Sequence, residues 1–236
     1  MIFSESYTTT WHDTDYRRQV SPSRLLVYMQ ETSNRHMMHA GMSLDELRDK
    51  RGLAFILSKI TLDLYKPLFA YEPIEVQTWT CPGRGYSIFR CFRILRGEDV
   101  IAAAHTTWAL VDLGTRRFVR GEESGYAFED EAPLVLQTPA RARFPENWEK
   151  LGERTVRYSD LDYNMHMNNT RYPDMICDFL PRQKVETLRG MTLFYLHEAA
   201  DGDTVEILHG TDGAQDYIRT RNGEGTTCLE ALLITG

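Results

Sequence analysis

A chain of 236 residues with 42% hydrophobic residues can fill one large domain or two small ones, and its formal charge of −7 argues against nucleic acid as the main partner. No window reaches the length needed to span a membrane, and residues 1–7 carry neither a basic segment nor a long apolar run, so the expectation is an unexported, cytoplasmic protein. Cys81, Cys91, Cys177 and Cys228 are scattered without CxxC spacing; neither a disulfide framework nor a zinc site is expected, and nothing calls for a cofactor.

The first chemically dense segment is His12-Asp13-Thr14-Asp15-Tyr16-Arg17-Arg18-Gln19. Ser21 and Pro22 then read as the N-cap and first residue of a helix that carries Leu25, Leu26, Met29 and Met37 at core spacing. A short helix over 43–47 opens with a capping-box pattern, Ser43 followed by Glu46. Alternation and β-branched or aromatic content predict strands over 60–65, 74–80, 86–95 and 100–111, with a turn at 81–85. Residues 122–145 are rich in acidic residues, Pro and Ala and weakly periodic. A linker belongs there, giving domains over 1–125 and 146–236 joined by 126–145.

The second dense segment, Ser159-Asp160-Leu161-Asp162-Tyr163-Asn164-Met165-His166, places Asp162, Asn164 and His166 at every second position. An extended backbone would aim all three at one spot. A carboxylate, a carboxamide and an imidazole together form a kit for acid/base work. A second helix is signalled at Asn168-Asn169, with Tyr172, Met175, Ile176 and Phe179, and strands follow over 191–196, 205–208, 216–221 and 227–234. With Asp13 set on Asp160, the two dense segments share Asp, Asp and Tyr, and each precedes a helix and several antiparallel strands. The plan is α+β, used twice. Arg17 and Gln19 occupy the places of Asn164 and His166, and neither can take up a proton at neutral pH, so one active site per chain is expected.

These residues resemble the acyl-acyl-carrier-protein (acyl-ACP) thioesterases of plants and bacteria, which are two fused hotdog domains. The likeness rests on residues 160–169 with Tyr172 following, on Trp108-Ala109-Leu110-Val111-Asp112 leading into Thr115-Arg116-Arg117, and on Glu198 between Tyr195 and Asp203. The resemblance implies a long helix wrapped by a curved antiparallel sheet in each half, a bacterial type of enzyme, and catalytic residues only in the second half: Asp162, Asn164, His166 and Glu198. The first half would hold the acyl chain, with Leu25, Leu26, Met29, Met37 and Met38 as candidates for its wall, against the competing reading, favoured about two to one, that they are ordinary core. The implied substrate is an acyl carrier protein bearing a fatty acyl chain; no metal is implied, and a homodimer is admitted. Family members commonly carry Cys directly after the Glu, where this chain has Ala199, which leaves a water-activating reading.

Thioester hydrolysis needs an activated water and donors for the developing oxyanion, whereas a thiol with a pKa of about 8.5 leaves readily. His166 and Glu198 are the candidates to activate water, with Asp162 orienting the imidazole and Asn164 holding water or the carbonyl. The free amides at the start of the second helix offer part of the oxyanion site, and an acyl anhydride on Asp162 is the alternative route. The competing readings are an Asp162/Asn164 turn with Asn168 as a helix cap, and a metal held by Asp162, His166 and Glu198. At the level of function the rivals are a hotdog acyl-CoA thioesterase and a non-catalytic acyl-binding protein. Because carriers are acidic, docking calls for a local basic patch drawn from Arg17, Arg18, Arg116, Arg117, Arg120 and Arg171.

Overall fold

In the computed structural model, which describes residues 1–41, 43–125 and 129–236, the long helix α1 spans Pro22–His39. Ser21 caps it by accepting the Arg24 amide, and Pro22 stands where a missing N–H costs nothing. Helix α2 (Leu44–Arg51) opens with the expected capping box between Ser43 and Glu46 and ends on Gly52 at φ +65°. Two units divide the chain: Met1–Ile60 with Tyr65–Leu136, and Thr61–Leu64 with Gln137–Gly236.

The first unit lays α1 against an antiparallel sheet whose strands are β1 (Phe3–Thr8), β2 (Leu53–Leu64), β3 (Pro73–Arg84), β4 (Ser87–Arg96), β5 (Asp99–Asp112) and β6 (Arg117–Val119). Their order is β1-β3-β4-β5-β2, with β6 beside β5. The turn expected at 81–85 is displaced. Strand β3 runs on to Arg84, which pairs with Ser87, and an irregularity between Cys81 and Arg84 accommodates Pro82, which has no N–H to donate. Gly85, at φ +64°, makes the tight reversal. Strand β1 escaped the sequence reading because only Phe3 and Tyr7 mark its inward face, and every second residue is exposed. Met38, expected in the acyl wall, is 63% exposed and lines nothing buried, whereas Leu25, Leu26, Met29 and Met37 are all buried.

The second unit repeats the plan with β7 (Glu149–Thr155), α3 (Tyr172–Phe179), α4 (Arg182–Glu186), β8 (Leu188–Tyr195), β9 (Thr204–Thr211), β10 (Asp216–Arg221) and β11 (Thr227–Thr235). Its strand order is β8-β11-β10-β9-β7. Met175 and Ile176 of α3 and Met191, Leu193, Ile207, Ile218, Leu229 and Leu232 of the sheet are buried together as its core. Strand β7 was missed for the same reason as β1: an edge strand of sequence Glu-Lys-Leu-Gly-Glu-Arg-Thr shows no apolar alternation.

Residues 126–128 of the expected linker lie outside the described residues. From 129 to 145 no helix or strand forms, yet the segment is tied down. Glu131 donates to the Thr80 carbonyl and the Trp79 indole to the Ala132 carbonyl in the first unit, while in the second the amides of Gln137 and Thr138 both donate to the buried carboxylate of Asp63. Among the described residues no helix is long and apolar enough to cross a membrane.

Candidate active site

The expectation that Asp162, Asn164 and His166 lie along one extended strand is overturned. Residues 162–166 form a tight turn: the Asp162 amide donates to the His166 carbonyl at 2.8 Å, the Met165 amide donates to the Asp162 carbonyl at 3.1 Å, and Met165 sits at φ +64°. The cause is Asp162 itself, whose Oδ1 accepts the backbone amides of Asn164 (2.8 Å) and His166 (3.3 Å). A short carboxylate that captures the amides two and four residues on folds the backbone over, and this local bond outcompetes the extended form.

The turn is fastened at both ends. At its root the buried Asp160 accepts the Arg157 amide and the Arg154 guanidinium, and its carbonyl accepts the Asn168 amide. At its tip it pairs with the loop after β8: Met167 donates to the Ala199 carbonyl at 2.8 Å, and His166 bridges to Ala200. This pairing carries Glu198 to His166, with Glu198 Oε2 3.3 Å from His166 Nδ1. The His166 side chain is one-third exposed and that of Glu198 nearly two-thirds, so the pair is open to water. Ala199, beside them, is buried. Asn168 spends its side chain on the amide and hydroxyl of Thr170, capping the 3-10 turn Asn169–Arg171 that leads into α3. The Asn169 N–H, first in that turn, takes no intrahelical bond. Among the described residues no group of three or more His, Cys, Asp or Glu side chains could hold a metal ion.

The first unit carries the same turn bond for bond. Asp15 Oδ1 accepts the amides of Arg17 (2.8 Å) and Gln19 (3.4 Å), the Asp15 amide donates to the Gln19 carbonyl at 2.8 Å, and Arg18 stands at φ +63° in the place of Met165. Val20 donates to Leu68 as Met167 does to Ala199, and Gln19 bridges to Phe69 as His166 does to Ala200. Glu72 accepts the Phe69 amide as Asp203 accepts that of Ala200. The register therefore puts Pro67 opposite Glu198, an equivalence that sequence alignment of the two short motifs did not reach because the paired loop lies some fifty residues away in one copy and thirty in the other. Where the second unit has Asn164, His166 and Glu198, the first has Arg17, Gln19 and Pro67. Arg17 folds back on Asp15, its Nε and Nη2 at 2.9 and 2.6 Å from Oδ2, so its charge is engaged within the turn and is no free element of a docking patch.

Comparison with known proteins is decisive about descent. The model of the acyl-ACP thioesterase N-terminal domain matches residues 1–127 and that of the C-terminal domain matches residues 146–227. The chain belongs to the acyl-ACP thioesterase family. Relatives include an oleoyl-acyl carrier protein thioesterase of Arabidopsis thaliana, 23% identical over 94% of this chain and 66% of that protein, and a palmitoyl-acyl carrier protein thioesterase of Cuphea hookeriana, 25% identical over 90% and 55%. Both are chloroplastic, and the chain spans less than two-thirds of the length of either. Among solved structures, an acyl-ACP thioesterase from Bacteroides thetaiotaomicron superposes over all of this chain and 98% of its own with a TM-score of 0.89 at 20% identity. A 12:0-ACP thioesterase from Umbellularia californica covers 99% and 96% with a TM-score of 0.79 at 19% identity. At these identities the superpositions establish the fold: this acyl-ACP thioesterase family member is built from two hotdog units, each a helix against an antiparallel sheet.

Proposed function

We propose that the chain hydrolyses the thioester of fatty acyl-ACP and releases the free fatty acid, by water activation at Asp162, Asn164, His166 and Glu198 in the second unit. The observation that carries this reading is the His166–Glu198 pair, 3.3 Å apart on a turn whose twin in the first unit has Gln19 and Pro67. An ancestral scaffold kept intact in both copies, with proton-transfer groups in one alone, is what a single hydrolytic site per chain requires. The first unit is left to hold the acyl chain along α1.

In this mechanism Glu198 accepts the Nδ1 proton of His166 and so fixes the tautomer whose Nε2 faces water. Nε2 takes a proton from that water as its oxygen attacks the thioester carbon. The oxyanion is received by the Asn164 carboxamide and the amide of Asn169 at the start of the helical turn. Collapse of the intermediate expels the thiolate, which is protonated from the imidazolium. Asp162 acts through the backbone, holding the turn that presents both Asn164 and His166. No thiol is used, in keeping with Ala199.

The test is free-acid release from acyl-ACP and acyl-CoA bearing the same chain. The proposal expects turnover with a higher kcat/KM on the ACP form. A higher kcat/KM on acyl-CoA would turn the assignment to the acyl-CoA thioesterase, and saturable binding without release would turn it to a non-catalytic acyl-binding protein.

A further inference from the structure

The helix that follows the duplicated turn starts differently in the two copies. Asn168 donates to the Asp160 carbonyl as Ser21 donates to that of Asp13, so Asn169 stands where the first copy has Pro22. On the paired loop, the amides of Leu196 and His197 both donate to the Cys228 carbonyl, as those of Tyr65 and Lys66 both donate to that of Ile101, so Tyr195 stands where the first copy has Leu64. The copy that carries the proton-transfer groups therefore has an amide and a phenol at two places where its twin has a proline, which lacks an N–H, and an aliphatic side chain.

These two residues touch. Tyr195 ends β8, in alternation with the core residues Met191 and Leu193, and its hydroxyl donates to the Asn169 carbonyl at 2.9 Å. The buried Tyr172 meets its ring edge-on, with centroids 5.5 Å apart and planes at 80°. In an α-helical turn the Asn169 carbonyl would accept the N–H of the residue four positions on, but that residue is Pro173 and has none. The tyrosine donates in its stead, from the sheet. In the first copy the residue four beyond Pro22 is Leu26, inside α1, and the helix can supply the donor itself. Desolvation, and then the neighbouring Tyr172, raise the Tyr195 phenol well above its ordinary value, so it remains a donor.

We propose that Tyr195 is a positioning residue for the reaction: by holding the Asn169 carbonyl it fixes the backbone at Asn169, and with it the direction in which the Asn169 N–H meets the oxyanion. The inference rests on the reading that this amide receives the oxyanion. Pro173 is part of the same device, because it keeps the helix from closing on that carbonyl and leaves the aim of the turn to a side chain anchored on β8. The same strand leads into the loop that carries Glu198. The partner of His166 and the oxyanion donor are then held by one strand, a registration that a transition state with little tolerance for displacement rewards.

The experiment measures kcat and KM on one acyl-ACP for Tyr195→Phe, which removes the hydroxyl and keeps the ring, in the wild-type and Pro173→Ala backgrounds. In the wild-type background kcat should fall at least about tenfold with KM held within about twofold, part of the roughly 10²- to 10³-fold that a whole oxyanion donor contributes. Pro173→Ala returns an N–H to the Asn169 carbonyl, so there the same removal should cost less than about threefold. A hydroxyl that only stabilises the fold would lower Tm and leave kcat unchanged, which overturns the proposal, as does an equal loss of kcat in both backgrounds. The comparison within Pro173→Ala stands even if Tyr195→Phe does not fold alone: a loss of about tenfold there refutes the positioning role. Asn169→Pro, which copies Pro22, set against Asn169→Ala tests the underlying reading separately, since only the former removes the N–H. If those two turn over equally, the oxyanion reading fails and the positioning role with it; if Asn169→Pro is far slower while Tyr195→Phe is neutral, only the role of the tyrosine is refuted.

Discussion

The duplicated turn supplies a substitution whose structural outcome is already visible within the chain: His166→Gln makes the second copy match the first at that position. Gln19 holds the same backbone, accepting the Asp15 amide at 2.8 Å as His166 accepts that of Asp162, and donating to the same carboxylate oxygen. Among the described residues the side-chain interaction forfeited is that with Glu198 at 3.3 Å between partly exposed groups, worth at most about 1 kcal/mol, so Tm should move by less than about 3 °C. The rate should fall about 10²- to 10⁴-fold, the contribution of a positioned acid/base group, or roughly 3–5 kcal/mol of barrier. The assay is single-turnover release of free acid from acyl-ACP with thermal unfolding in parallel. Because the two groups act as a unit, Glu198→Gln should cost much less in the His166→Gln background than alone. The reciprocal control, Gln19→Ala, should change the rate no more than about threefold. A stable His166→Gln protein with near-normal turnover would refute the assignment of the base, and a rate loss from Gln19→Ala as large as that from His166→Gln would move chemistry into the first unit.

Two further outcomes follow from buried groups. Burial pushes the Cys81 thiol up to about 12 and raises Cys91 and Cys228 as well, and half-buried Cys177 has no place in the proposed mechanism, so iodoacetamide at pH 8 should leave hydrolysis intact; loss of most activity in step with alkylation would restore a thiol mechanism. Burial, aided by the charge of Arg90, lowers His36 from 6.5 to about 4. The folded chain then binds fewer protons than the unfolded one in that window, so the stability contribution is complete above pH 6.5 and is lost as the pH falls toward 4. The wild-type chain should lose up to about 3 kcal/mol more than His36→Gln over that interval in urea unfolding, and parallel curves would contradict the burial of a neutral imidazole.

What the sequence disclosed depended on whether the signal was local. Ser21-Pro22 and the Ser43/Glu46 pair announce their helices because a cap is a property of four neighbouring residues, and β10 is legible over its full length because Tyr217, Ile218 and Thr220 supply aromatic and β-branched content within six residues. Edge strands β1 and β7 were hidden because half-exposed strands need few apolar residues. The identity of the site residues was legible, and their geometry was not. A period of two in Asp162, Asn164 and His166 looks like a strand, yet the carboxylate that creates the period also captures the amides that end it. Pro67 as the counterpart of Glu198 could come only from the pairing of two loops, a non-local fact.

The turn itself yields a last prediction. Arg18 and Met165, neither a glycine, both sit in the left-handed region, which costs about 1 kcal/mol or more, and both are exposed, so packing does not compensate. The compensation is the carboxylate of Asp15 or Asp162, each accepting two backbone amides in charge-assisted bonds. Asp15→Ala and Asp162→Ala should therefore destabilise their units by a similar amount, about 1–2 kcal/mol, since the bonds are the same. Their effects on rate should diverge. Asp162→Ala releases the segment that presents Asn164 and His166 and should lower kcat at least about tenfold, because small displacements of an acid/base group are expensive. Asp15→Ala releases only Arg17 and Gln19 and should leave kcat within about threefold. Measured by urea unfolding and by acyl-ACP turnover on both variants, equal losses of stability with unequal losses of rate are the expected result. Equal losses of rate would mean that the first copy of the turn serves the reaction directly, and the division of labour between the two units would have to be abandoned.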